Sequence, residues 1–156
     1  MTGETGKKNV YRPVIALAIV SLLICGLFFP LVVTGISQAA FPSQANGSLA
    51  KLGNRTVGSY NIDNGFTFPI FFHARNESNP LTASASGVDP DITLQDALSQ
   101  VPRVHNATGI STAALTSLIM AHEQFTMFFV GDPYVNVLEL NLALISAYPA
   151  VYSGYG

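Results

Sequence analysis

Asp89 and Asp91, set either side of Pro90, are two carboxylates close enough in sequence to suggest general acid–base chemistry, and His122 next to Glu123 offers a second acid–base couple. A membrane-anchored hydrolase would use Asp89 or Glu123 together with His122, and would need these groups gathered in one pocket with shifted acidities. Nothing in their spacing brings them together. Pro90 and the helix start behind it give Asp89 and Asp91 a simpler duty as turn and capping residues. The three histidines, His73, His105 and His122, are too far apart for any metal-ligand spacing. The single cysteine, Cys25, lies in an apolar run, which excludes an intrachain disulfide and a thiol metal site. The chain has no phosphate-binding G-x-x-x-x-G-K-[ST] loop and no G-x-S-x-G nucleophile elbow. The expectation is therefore no catalytic residue, no metal and no cofactor.

Composition points away from an ordinary soluble surface. Hydrophobic residues make up 49% of the 156 and charged ones only 10%, against about 25% charged in a typical soluble domain. Lipid, a protein partner or acidic surroundings, where carboxylates lose their charge, would each account for that deficit. Lys7, Lys8 and Arg12 form a short basic head, whereas the chain beyond Pro13 carries four cations and eight anions. That excludes a nucleic-acid surface, which needs clustered Lys and Arg.

The element that organises the chain is VIALAIVSLLICGLFFPLVV, Val14 to Val33, twenty residues without a charge. At 1.5 Å per residue it reaches about 30 Å, the thickness of the hydrocarbon layer. The basic head before it places the N-terminus in the cytoplasm. The expected division is a cytoplasmic tail over 1–12, a transmembrane helix over 13–36, and an extracytoplasmic domain over 37–156. Ser37-Gln38-Ala39 has the form of a signal-cleavage site, so a removed leader is the competing reading, although the run is long for one. Ala18, Ser21 and Cys25 put small side chains on one helix face, where another helix can approach closely. Pro30 removes one backbone hydrogen bond near the outer end.

Beyond the span, short apolar pieces alternate with turn signals, an α+β pattern. Thr56–Tyr60 and Phe66–Phe72 read as extended, the second with Phe66, Phe68, Ile70 and Phe72 on one face, joined through Asn64-Gly65. Thr93–Gln100 reads as a helix with Thr93 and Asp96 as its capping pair and Pro102 limiting its end. Ser111 suits the N-cap of a second helix lasting to about His122, with Ile110 stapled onto Leu115. In Tyr134–Tyr148, Val135 and Val137 alternate as in a strand while Leu138, Leu142 and Ile145 repeat as in a helix, and both readings stand. Asn46, Asn54, Asn76 and Asn106 head N-x-[ST] sequons, which mark either sugar attachment or turns.

Six stretches in fixed order behind one span, FPSQANGSL, VGSYNI, FFHAR, TASASGVDPDIT, QVPRV and VNVLELNLAL, together resemble the KdpC family, the single-span accessory chains of the Kdp potassium-transporting ATPase. The likeness covers nearly the whole chain. It implies a non-catalytic accessory subunit, single-pass in the cell membrane, that assembles and stabilises a potassium uptake complex at its outer face. The implied partners are a channel-like potassium-translocating subunit, a P-type ATPase subunit, in some systems a very small fourth chain, and membrane lipid. Matching motifs nominate Gln44, Asn46, Arg75, Ser84, Ser86, Asp89, Arg103, Asn136, Glu139 and Asn141 as contact residues, beside the Ala18, Ser21, Cys25 stripe. Their alternative roles are turns, helix caps and internal hydrogen bonds. The small residues of TASASG permit close backbone approach to another surface. The family usually has Gly-Arg-Pro after the aromatic pair, where this chain has Ala74, Arg75 and Asn76. A longer Gly-, Ser- and Asn-rich stretch of the family is replaced here by Glu77 to Leu81.

Overall fold

The computed structural model describes residues 11–74, 87–125 and 131–155. Lys7, Lys8, Arg75, Asn76, Ser84 and Ser86 lie outside the described residues, as does most of TASASG. The chain divides into two compact units, 1–46 and 47–156.

The first unit is built on one helix, Tyr11–Ala40, 30 residues long and apolar enough to cross a membrane. It outruns the expected 13–36 at both ends, because nothing in Tyr11, Arg12 or Ser37–Ala40 opposes helical geometry, and Pro13 stands in the first turn, where its missing N–H is harmless. The helix has three parts: α1 (Tyr11–Leu23), a π-turn over Ile24–Phe28, and α2 (Phe29–Ala40). The effect of Pro30 is therefore a widened turn on its N-terminal side. Phe41, at φ −137°, breaks the helix, and Pro42 starts the single-turn α3 (Pro42–Ala45). Asn46 returns to the helix end by exchanging amide hydrogen bonds with Gln38 at 3.2 and 3.3 Å, and it also donates to the Pro42 carbonyl at 2.6 Å.

The second unit mixes short strands with helices. β1 (Leu49–Leu52) pairs antiparallel with β2 (Arg55–Ser59) around Gly53-Asn54, where Gly53 at φ 60° supplies the left-handed residue the tight hairpin needs. Three-residue strands β3 (Asp91–Thr93) and β4 (Tyr134–Asn136) form a second antiparallel pair. Thr93 ends β3 and caps α4 (Leu94–Thr108), its hydroxyl accepting from the Asp96 N–H at 3.1 Å. Ser111 caps α5 (Thr112–Ala121), and Ile110 and Leu115 are both buried, as a staple requires. Asn136 ends β4 and caps α6 (Val137–Ala147). The two periodicities read over Tyr134–Tyr148 are thus both present, in succession.

Two expectations need correction. α4 does not stop at Gln100; it runs through Pro102 and closes at Gly109, φ 74°. Proline forfeits one bond to the turn before it, but Ala97, Gln100, Val101 and Val104 continue the buried face on both sides and hold the helix together. Phe66–Phe72 is not a strand, and β2 takes β1 as its partner. Alternation fails at the decisive point: neighbours Phe71 and Phe72 are both buried, at 3% and 0%, whereas Phe68 is 56% exposed. The core joins Phe72 to Val104 of α4, Leu115 and Ile119 of α5, Val135 of β4, and Leu140 and Leu144 of α6.

Candidate functional site

With so few strand ladders, buried main chain in the second unit needs other partners. Side-chain amides supply them. The Asn141 amide accepts from the Phe72 N–H at 2.8 Å and donates to the Phe72 carbonyl at 2.9 Å. The Gln100 amide does the same for the next residue, accepting from the His73 N–H at 2.9 Å and donating to its carbonyl at 3.0 Å. Phe72 and His73 are therefore bracketed in turn by α6 and α4, as two neighbouring strands would bracket one. Asn64 repeats the device on Ser59, taking its N–H and carbonyl at 2.9 Å each. A Cβ on Gly58 would collide with the Asn64 side chain, which explains the glycine of VGSYNI.

Arg103 fixes the same loop from α4. Its Nη1 donates to the carbonyls of Pro69 and Phe71, both at 2.8 Å, and its Nη2 to Gln100 Oε1 at 2.6 Å. His73 Nε2 lies 2.9 Å from the Phe68 carbonyl and must carry a proton to bond there, so the 3.4 Å approach of Arg103 to that nitrogen is a contact only. Burial lowers the Arg103 pKa, yet a guanidinium stays charged at any pH a protein meets. Tyr152, 1% exposed, donates to the Ile70 carbonyl at 2.8 Å and stacks on Phe71 with centroids 5.3 Å apart. Burial pushes its phenol up to about 12.

Beside this loop an apolar groove of about 220 Å³ opens between Phe66, Phe68 and Phe71 on one wall and Leu138, Leu142 and Ile145 of α6 on the other. Cavities that hold small molecules run from roughly 300 to 1,000 Å³, so this one suits a side chain or two.

At the junction of β4 and α6, Asn136 Nδ2 donates to the Tyr60 carbonyl at 2.9 Å and to Asp91 Oδ1 at 2.8 Å, while its Oδ1 accepts from the Glu139 N–H. Asp89 Oδ1 accepts from the Asp91 N–H at 3.0 Å, an Asx turn over Pro90. Glu139 Oε2 accepts from Gln124 Nε2 at 2.8 Å. Burial raises the Asp91 pKa, partly offset by the bond from Asn136, and the charges of Asp89 and Glu139 add to the rise. His122 Nδ1 sits 2.8 Å from the Leu118 carbonyl of its own helix. Among the described residues no hydrogen bond joins Asp89, His122 and Glu123, and no His, Cys, Asp and Glu group is arranged to hold a metal.

The residues nominated as contacts therefore fall into two sets. Arg103, Asn136 and Asn141 are committed inside the domain, Asn141 at 0% exposure. Ala18, Ser21, Cys25, Gln44, Asn46 and Asp89 are exposed and Glu139 half-buried. Of the sequon residues, Asn46, Asn54 and Asn106 are exposed. Sequence reading misses Asn64, Gln100 and Tyr152; the first two stand in or beside quoted motifs, but Tyr152 gives no signal beyond being an aromatic residue near the end.

The family described as KdpC, K+-transporting ATPase, c chain, matches residues 11–80 and 77–146. The "Potassium-transporting ATPase KdpC subunit" of Geobacter sulfurreducens is 35% identical over 185 residues, covering 88% of this chain and 98% of the relative. The protein of the same name from Staphylococcus aureus strain bovine RF122 / ET3-1 is 36% identical over 182 residues, covering 87% and 97%; that from strain MSSA476 is 35% identical over the same length. Alignments of 182 and 185 positions exceed the 156 residues of this chain. The relatives thus carry residues it lacks, and the two family stretches overlap at 77–80. By these matches, which span the long helix, the amide-bracketed loop and α6 alike, the chain belongs to the KdpC family of K+-transporting ATPase c chains.

Proposed function

We propose that the chain is a non-catalytic accessory subunit of an ATP-driven potassium uptake complex of the P-type class. Its long helix spans the cell membrane with the basic head in the cytoplasm. The mixed domain stands outside and stabilises the assembly of a channel-like subunit and the ATPase subunit. The observation that carries this reading is the family match running from Tyr11 at the start of the apolar helix to residue 146 in α6. The internal commitment of Arg103, Gln100 and Asn141 to the loop at 69–73, and of Asn136 to Tyr60 and Asp91, fits it, because these groups already serve the fold of the domain itself. Contacts with partners fall on the exposed candidates: the Ala18, Ser21, Cys25 face in the membrane, and Gln44, Asp89 and Glu139 outside it.

The test is recovery from native membranes in mild detergent with the tagged full-length chain as bait. Co-recovery of a P-type ATPase and a polytopic channel-like chain is the expected result. Recovery of the bait alone, or hydrolysis of a substrate by the purified chain, would end the proposal.

A further inference from the structure

The long helix has a backbone group that its own regular bonding pattern leaves without a partner. Within the π-turn, the Phe29 N–H bonds to the Ile24 carbonyl. In an α-helix that N–H would serve Cys25, four residues before it. The π alternative for Cys25 is the N–H of residue 30, and residue 30 is proline, which has none. The Cys25 carbonyl has therefore lost both of its regular donors. A serine or threonine three or four residues later could bond back to it, but those positions are Phe28 and Phe29. The Ser21 hydroxyl and the Cys25 thiol lean toward the preceding turn, away from this oxygen.

Cys25 lies eight residues from Val33, the end of the apolar run, about 12 Å along the helix. At that depth water is scarce and an unbonded carbonyl is costly, so helices broken in this way are completed by neighbours. Gly26 follows immediately, and Ala18, Ser21 and Cys25 leave the face low enough for a second backbone to come close.

We propose that the π-turn over Ile24–Phe28 is a docking point for a transmembrane helix of another subunit, which presents a hydroxyl or amide N–H from Ser, Thr, Asn or Gln to the Cys25 carbonyl. This rests on the reading of the chain as a spanning subunit. The donor pins the depth and rotation of the helix, which an apolar face against lipid-like neighbours specifies poorly.

The pair Phe29→Ser and Phe29→Ala isolates the bond. Both remove the ring, but only serine brings a hydroxyl that bonds back to Cys25 and removes the demand for an outside donor. The full complex, carrying each variant as tagged bait, is taken from native membranes through a series of increasingly harsh detergents. The expected result is that the serine variant retains the other subunits roughly threefold to tenfold less well than the alanine variant, the range of one interhelical hydrogen bond. Pro30→Ala, which restores an N–H, is expected to lower retention in the same direction, and it serves should the serine variant fail to resist carbonate extraction. Equal retention by the Phe29 pair, or loss confined to a second copy of this chain, overturns the inference. A wild-type bait that brings down no ATPase subunit instead overturns the functional reading beneath it.

Discussion

Asn141 does for Phe72 what a strand neighbour would do. Asn141→Leu keeps the branched shape and strands a buried N–H and a buried carbonyl, each costing about 1–3 kcal/mol. Denaturant unfolding is expected to show a loss of about 2–6 kcal/mol for the two groups together, larger than for substitution of exposed Gln44. Asp91 makes a different prediction. Its pKa is raised in the folded state, chiefly by burial, so the fold binds that proton more tightly than the unfolded chain does. Its favourable contribution is complete below the unfolded value of 3.8 and is lost as pH rises through the raised folded value. Asp91→Asn keeps an oxygen for Asn136 and carries no charge. It is therefore expected to raise the melting temperature at pH 7, with the gain fading as pH falls through the titration range of Asp91 toward 3.8. A gain that is constant with pH would show that repulsion and desolvation at Asp91 are not its cause.

Caps and turns are the elements most legible in the sequence, because each depends on two or three neighbouring residues. Thr93 with Asp96, and Ser111 with its Ile110–Leu115 staple, obey local rules. The Phe66–Phe72 segment misleads a local reading because its hydrogen-bond partners include the side chains of Arg103, Asn141 and Tyr152, far along the chain, and no local period reports them. β1 escapes notice for a similar reason: Leu49–Leu52 is four residues with one fully buried side chain, Ala50. At Pro102 a local breaker loses to a buried face. Pro102→Ala restores the missing N–H on an exposed position, so thermal denaturation should show a more stable domain, by at most about 3 kcal/mol. A lower melting temperature would mean that the proline shapes α4 in a way the packing requires.

For the whole molecule, the long apolar helix, the α+β class and the family are readable because they rest on long runs and ordered motifs. The partner surface is not, since several of the motif residues that suggest it, Arg103, Asn136 and Asn141 among them, turn inward. A fragment beginning at Gly47 contains the complete core and both strand pairs. It is expected to melt cooperatively in circular dichroism without detergent, and a broad, non-cooperative melt would mean that the domain depends on its anchor or its neighbours. The bracketing amides carry one more consequence. Asn64, Gln100 and Asn141 neither gain nor lose a proton in acid, so the joints that hold the buried main chain are proton-blind. A domain fastened this way keeps its seams closed when its surroundings turn acid, whatever becomes of the few carboxylates on its surface.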